Sequence, residues 1–123
     1  MAIMRFGKVQ LRIMRVLWDK GRANAREITD ELNKIDPIAH STVQTLLRKL
    51  EEKGAVDHDI ENRTFIFFPL VDSENVTNHA FREFVDRVFM GSSLGLVSYL
   101  LRSDEISSED MKRIKDMIKR DEN

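Results

Sequence analysis

No cysteine occurs among the 123 residues, which excludes disulfides, thiolate metal sites, iron-sulfur clusters and cysteine nucleophiles together and accords with a reducing compartment. Long apolar runs are missing as well. The stretch FIFFPLV at 65–71 falls far short of the ~20 residues that cross a bilayer, and no basic start leads into an apolar signal region. A soluble, cytoplasmic protein with no membrane partner is expected. The two prolines, Pro37 and Pro69, stand apart as local punctuation, and there is no internal repeat, low-complexity run or flexible linker. Charge of one sign is lacking too: the net charge is −1, so any nucleic-acid surface must be local rather than a property of the whole chain.

What is present is a chain of the length of one domain, or of one small domain with an appended oligomerisation segment. It is 41% hydrophobic and 33% charged, enough to bury a core and more charged than the usual quarter or so, which points to a helix-rich protein. Residues 1–70 hold 12 Lys and Arg against 10 Asp and Glu, and residues 71–123 hold 8 against 11. The asymmetry is mild, and only the placement of these charges can give it meaning.

Leu11, Met14, Leu17 and Trp18 recur at helical spacing between Val9 and Lys20, and Gly21 stands where such a helix would stop. Asn24 and Glu27 have the spacing of a capping box for a short second helix, with Ile28 and Leu32 on one face, ending near Asn33. After Pro37 a third helix is expected from Ser41, as N-cap with Gln44 in support; Val43, Leu46, Leu47 and Leu50 form its stripe and Gly54 its end. Then the period changes. AVDHDI and TFIFFPL, separated by Glu61-Asn62-Arg63, read as a two-stranded hairpin. Three helices followed at once by a hairpin is the order of a winged helix-turn-helix domain. The fold class expected is mostly α with a small β-hairpin wing, a winged helix-turn-helix domain at 1–70 and a helical dimerisation domain at 71–123.

The second segment should hold three more helices, with stripes at Val76/Ala80/Phe81/Phe84/Val85/Val88, Leu94/Leu96/Val97/Leu100/Leu101 and Met111/Ile114/Ile118, the last capped by Ser107 and Asp110. Some 50 residues cannot bury such faces alone. A homodimer is expected, with Phe84, Val88, Leu94, Val97, Leu100 and Leu101 in its interface.

Catalysis finds no support. His40, His58 and His79 fall in three different predicted elements, no HExxH or Gly-rich phosphate loop is present, and no G-x-S-x-G turn frames Ser41. Neither an enzyme, a metal nor a cofactor is expected. The methionines and the Phe81/Phe84/Phe89 group read as core or dimer packing, and Trp18 as core.

With its stripe turned inward, the third helix points Ser41, Thr45, Arg48 and Glu52 outward, with Thr42, Gln44 and Lys49 on the flanks. Hydroxyl, amide and cation are the groups that read base edges or hold phosphates, although a polar outward face is also the rule for a solvated surface helix. Arg63 at the hairpin tip adds a cation where a wing meets the DNA backbone. The expected DNA-binding residues are therefore Ser41, Thr42, Gln44, Thr45, Arg48, Lys49 and Arg63.

LRIMRVLWDKGRANAREITDELN, STVQTLLRKLEEKGAV and the wing ending NRTFIFFPLV together resemble the penicillinase repressor family (BlaI/MecI, with copper-responsive CopY repressors as relatives). The most characteristic segments are Val16-Leu17-Trp18 and Thr42-Val43-Gln44-Thr45-Leu46-Leu47, with Phe89-Met90-Gly91-Ser92 similar in the second half. The resemblance runs from about Gln10 to Ile118. It implies a homodimeric bacterial repressor that binds a dyad operator in double-stranded DNA. Family members controlling β-lactam resistance are inactivated when a sensor-linked protease cuts between an Asn and a Phe; here the corresponding position reads Tyr99-Leu100. That departure leads to the expectation that this chain is not switched by such cleavage. The copper-sensing relatives carry a cysteine motif that this chain lacks. Two other readings of the same fold are a winged-helix protein-interaction module and a small-molecule-responsive regulator.

Overall fold

The computed structural model describes residues 4–122. The chain divides into two compact units, one through Ala80 and one from Phe81, so the division falls inside a helix. The first unit runs α1 (Lys8–Lys20), β1 (Ala23–Asn24), α2 (Ala25–Asn33), α3 (His40–Glu52), β2 (Val56–Glu61) and β3 (Thr64–Pro69), and enters α4 (Ser73–Val88). The second takes the end of α4, then α5 (Ser93–Arg102) and α6 (Ser108–Glu122).

The first two helices form for reasons visible in their sequence. The Gln10 side chain accepts from the Gly7 N–H at 2.9 Å at the start of α1, and Gly21, at φ +81°, ends it by donating its N–H to the Leu17 carbonyl. At α2 the expected capping box is formed: Asn24 Oδ1 accepts from Glu27 N–H at 2.8 Å and Glu27 Oε1 from Asn24 N–H at 3.0 Å. Ile13, Met14, Leu17, Ile28, Leu32, Val43, Leu47, Leu50, Ala55, Val56 and Phe67 pack into one core. Each large aliphatic among them contributes roughly 1.5–3 kcal/mol by leaving water. Leu46, on the predicted stripe, packs only partly buried against this cluster, as does Trp18. The Trp18 indole N–H finds a partner in the Val71 carbonyl at 2.9 Å, tying α1 to the chain leaving the wing.

Two expectations are corrected. Ser41 is not the N-cap of the third helix: α3 begins one residue earlier, at His40, behind Ala39, whose side chain makes no capping bond. The turn before it sets this register. Asn33 clasps Ile38 from both sides, accepting from its N–H and donating to its carbonyl, so the chain reaches helical geometry at His40. The sheet, moreover, has three strands in the order β1-β3-β2. Ala23 pairs with Phe67 and Asn24 with Ile66, a two-residue strand too short to leave any periodic signal.

The wing itself follows the predicted hairpin, from Val56 opposite Pro69 to Glu61 opposite Thr64. Its tight turn is Asn62-Arg63, at φ +49° and +66°, the two positive φ values that a two-residue hairpin of right-handed twist demands.

Beyond the wing the three predicted helices are present, with caps at Ser92, which accepts from Gly95 N–H at 2.8 Å, and at Ser107, which accepts from Asp110 N–H at 3.1 Å. Met90 and Gly91, both at positive φ, make the turn between α4 and α5. Phe89 stands edge-on to both Phe84 and Tyr99, at 5.8 and 5.9 Å between ring centroids. No residue of α5 is buried. Among the described residues no single helix is long and apolar enough to cross a membrane.

Candidate nucleic-acid interface

A cleft in the first unit is lined by three elements: Asn24, Ala25 and Arg26 at the start of α2, His40, Gln44, Leu47, Arg48 and Glu51 along α3, and Arg63, Thr64, Phe65 and Phe67 from the wing. The short β1 ladder explains how these meet. By pairing with β3 it holds the first turn of α2 against the wing, while the core side chains Val43, Leu47 and Leu50 seat α3 beneath. Along α3 the cleft wall is the row His40, Gln44, Arg48, residues four apart and hence stacked along one side of the helix.

Of the sequence-predicted residues, Gln44, Arg48 and Arg63 come together in this cleft. Ser41, Thr42, Thr45 and Lys49 are exposed on α3 outside its lining. Thr45 donates its hydroxyl to the Ser41 carbonyl at 3.0 Å, so its proton is committed locally and its methyl and oxygen lone pairs are what remain for a ligand. Sequence reasoning missed Arg26 and His40. Arg26 sits in the first turn of a helix whose cap was recognised, but only the β1 pairing brings that turn to the wing. His40 was set aside with the other histidines for want of a metal or catalytic motif.

Several cations of the first unit are held by carboxylates. Away from the cleft, Arg12 pairs with Asp36 at 3.4 Å, and Lys20 and Lys34 share Glu31. Arg22 meets Asp59 at 2.7 Å and Glu61 at 3.6 Å and lies over the Phe68 ring. The hydrogen bond that Arg22 donates to the Asp59 carboxylate raises the Arg22 pKa further, so this cation is committed to the wing's own carboxylates. Lys34 correspondingly holds the Glu31 carboxyl below its ordinary range, chiefly through their hydrogen bond. Arg26, Arg48, Lys49 and Arg63, by contrast, have no ion-pair partner among the described residues. The acidic residue of the cleft, Glu51, is engaged by His58 Nδ1, whose ring stacks on Phe65 at 3.9 Å.

Glu51, Asp57 and His58 bring three potential ligand atoms close together, yet this is a poor cation site. Asp57 and His58 are consecutive on β2, where side chains alternate between faces, and the Asp57 carboxylate is turned back onto the His58 N–H at 2.8 Å. Unpaired cations on three elements, an amide in their midst and hydroxyls beside it are groups able to bond phosphate oxygens and base edges.

The sequence model described as penicillinase repressor matches residues 6–120. The chain is 27% identical to the penicillinase repressor of Bacillus licheniformis over 121 residues, covering 98% of this chain and 94% of that one. It is 23% identical to the methicillin resistance regulatory protein MecI of Staphylococcus aureus (strain N315), over 86% of both chains. Among solved structures, the solution structure of the monomeric form of Bacillus licheniformis BlaI in complex with the blaP half-operator superposes with a TM-score of 0.52 at 32% identity, covering 60% of this chain and 90% of that one. The chain belongs to the penicillinase repressor family, a family of winged-helix, DNA-binding transcriptional repressors and not of enzymes.

Proposed function

We propose that the chain acts as a homodimer on a dyad operator, with α3 in the major groove of each half-site and the wing on the flanking backbone. The observation that carries this reading is the convergence of cations: Arg26, Arg48 and Arg63 line one cleft from α2, α3 and the wing tip, with Lys49 beside it on α3, and none of the four has an ion-pair partner among the described residues. A protein-docking winged helix has no need to gather unneutralised positive charge in and beside one cleft, whereas a duplex supplies a phosphate for each cation. Gln44, with Ser41, Thr42 and Thr45 beside it, is assigned to base edges; Arg26, Arg48, Lys49 and Arg63 are assigned to phosphates. The half-operator complex of the Bacillus licheniformis relative supports the same mode of use.

The dimer is assigned to the segment 71–123. Leu94 is 78% exposed, and Phe84, Val88, Val97 and Leu101 are each between 43% and 52% exposed in a single chain. Large apolar side chains in that number are costly to leave in water, and a second copy offers the same apolar side chains in return. Two protomers then present two α3 helices to half-sites about 34 Å apart or a multiple of it. Repression follows from occupancy of promoter DNA, which places the work in the bacterial cytoplasm. The test is footprinting on the DNA upstream of the chain's own gene: a protected, two-fold symmetric site supports the reading, and protection without symmetry or no protection refutes it.

A further inference from the structure

His40, the first residue of α3, touches the buried Thr29 of α2: Thr29 Oγ1 lies 3.0 Å from His40 Nδ1 and 2.7 Å from the Ala25 carbonyl oxygen. Two oxygens at that second distance share a proton, and the carbonyl has none, so the single hydroxyl proton of Thr29 is given to Ala25. Thr29 can then only accept from His40. Nδ1 must carry the ring proton, and in the neutral imidazole Nε2 is left as a bare acceptor. The tautomer is thus assigned by the hydrogen-bond network.

His40 also lines the cleft, at the head of the row that continues through Gln44 and Arg48. We propose that His40 is a base-reading residue whose Nε2 accepts a hydrogen bond from an exocyclic amino group in the major groove. This rests on the operator-binding reading above and sharpens it. A neutral acceptor cannot hold a phosphate, which also only accepts. In the major groove guanine N7 and O6 and thymine O4 are acceptors too, and only adenine N6 and cytosine N4 donate. The geometry therefore selects adenine or cytosine at one position of each half-site. Thr29, buried at 3% exposure, acts as the positioning residue that fixes the ring.

Selection from a randomised duplex library, by the unmodified protein and by His40→Ala and Thr29→Val, tests this. His40→Ala should lose about tenfold discrimination at one base pair per half-site, with a smaller loss on random duplex. Thr29→Val should weaken preference at the same base pair. Nitrogen-15 correlation spectra of the imidazole in the free, unmodified protein, which require no variant, should show the proton on Nδ1. A proton on Nε2, selection that survives His40→Ala, or an equal loss on selected and random DNA each overturns the proposal. An unmodified protein that selects no sequence at all overturns the operator reading, and this inference with it.

Discussion

Asn33 holds Ile38 by both its backbone groups, accepting from the N–H at 2.9 Å and donating to the carbonyl at 3.1 Å. The same amide also donates to the Thr29 carbonyl at 2.9 Å, so one side chain joins the last turn of α2 to the chain entering α3. Asn33→Ala leaves the Ile38 backbone groups to water and should cost about 0.5–1.5 kcal/mol in denaturant unfolding. DNA affinity should fall as well, because the start of α3 loses its anchor. A variant with unchanged stability and unchanged affinity would show that the turn is held by the core alone.

The wing tip sets stability against function. Arg63 occupies φ +66°, a conformation that costs a non-glycine residue roughly 1–2 kcal/mol and that glycine accepts freely. Arg63→Gly should therefore raise stability by about 1 kcal/mol while weakening binding to every duplex and lowering the salt slope by about one unit per protomer. Parallel thermal unfolding and salt titration measure the two effects. A gain in stability with no loss of affinity would remove Arg63 from the interface.

Within α3 the two classes of contact should separate. Gln44→Ala is expected to relax sequence preference, at a cost of about 1–3 kcal/mol on the preferred site and little on random DNA. Lys49→Ala should weaken both alike. Identical profiles for the two variants would contradict the division into base and phosphate contacts.

For the dimer, Leu94 is the cleanest probe, since at 78% exposure its replacement leaves the folding of a single chain intact. Leu94→Glu puts an unpaired charge into the proposed interface and should shift sedimentation at micromolar concentration from dimer to monomer, with unchanged helical content. A monomeric unmodified protein, or a Leu94→Glu dimer of unchanged affinity, would move the interface elsewhere.

Much of this was legible in the sequence because local signals agreed with the fold. Asn24 and Glu27 cap α2 as their spacing indicates, Gly21 and Gly54 end helices at positive φ, and the change of period after Gly54 marks the wing. What escaped was what depends on pairing across the chain. The two-residue β1 has no pattern of its own, and without it nothing brings Arg26 toward Arg63. Ser41 misled for a related reason: serine two residues before a stripe is a good cap by composition, but the start of α3 is fixed by Asn33 and Ile38, so the helix begins at His40. The row His40, Gln44, Arg48 was only partly visible, because the outward direction computed from the apolar stripe is not the direction in which the wing lies.

The segment around Tyr99 and Leu100 carries a prediction about control. Both residues lie within α5, and their carbonyls accept from the Ser103 N–H at its end. Scission there requires local opening of the helix, and a protease pocket that hydrogen-bonds an Asn side chain would find Tyr99 in its place. Incubation with the sensor-linked protease of a β-lactam-responsive system should leave the chain intact and operator binding unchanged. Cleavage between Tyr99 and Leu100 with loss of binding would reverse this.

The most direct test of the account is the salt dependence and stoichiometry of binding to the footprinted duplex. Arg26, Arg48, Lys49 and Arg63 on two protomers should release counterions from about eight phosphates, giving a slope of log affinity against log salt near −7, with two chains per duplex at saturation. One chain per duplex, or a slope close to zero, would contradict it.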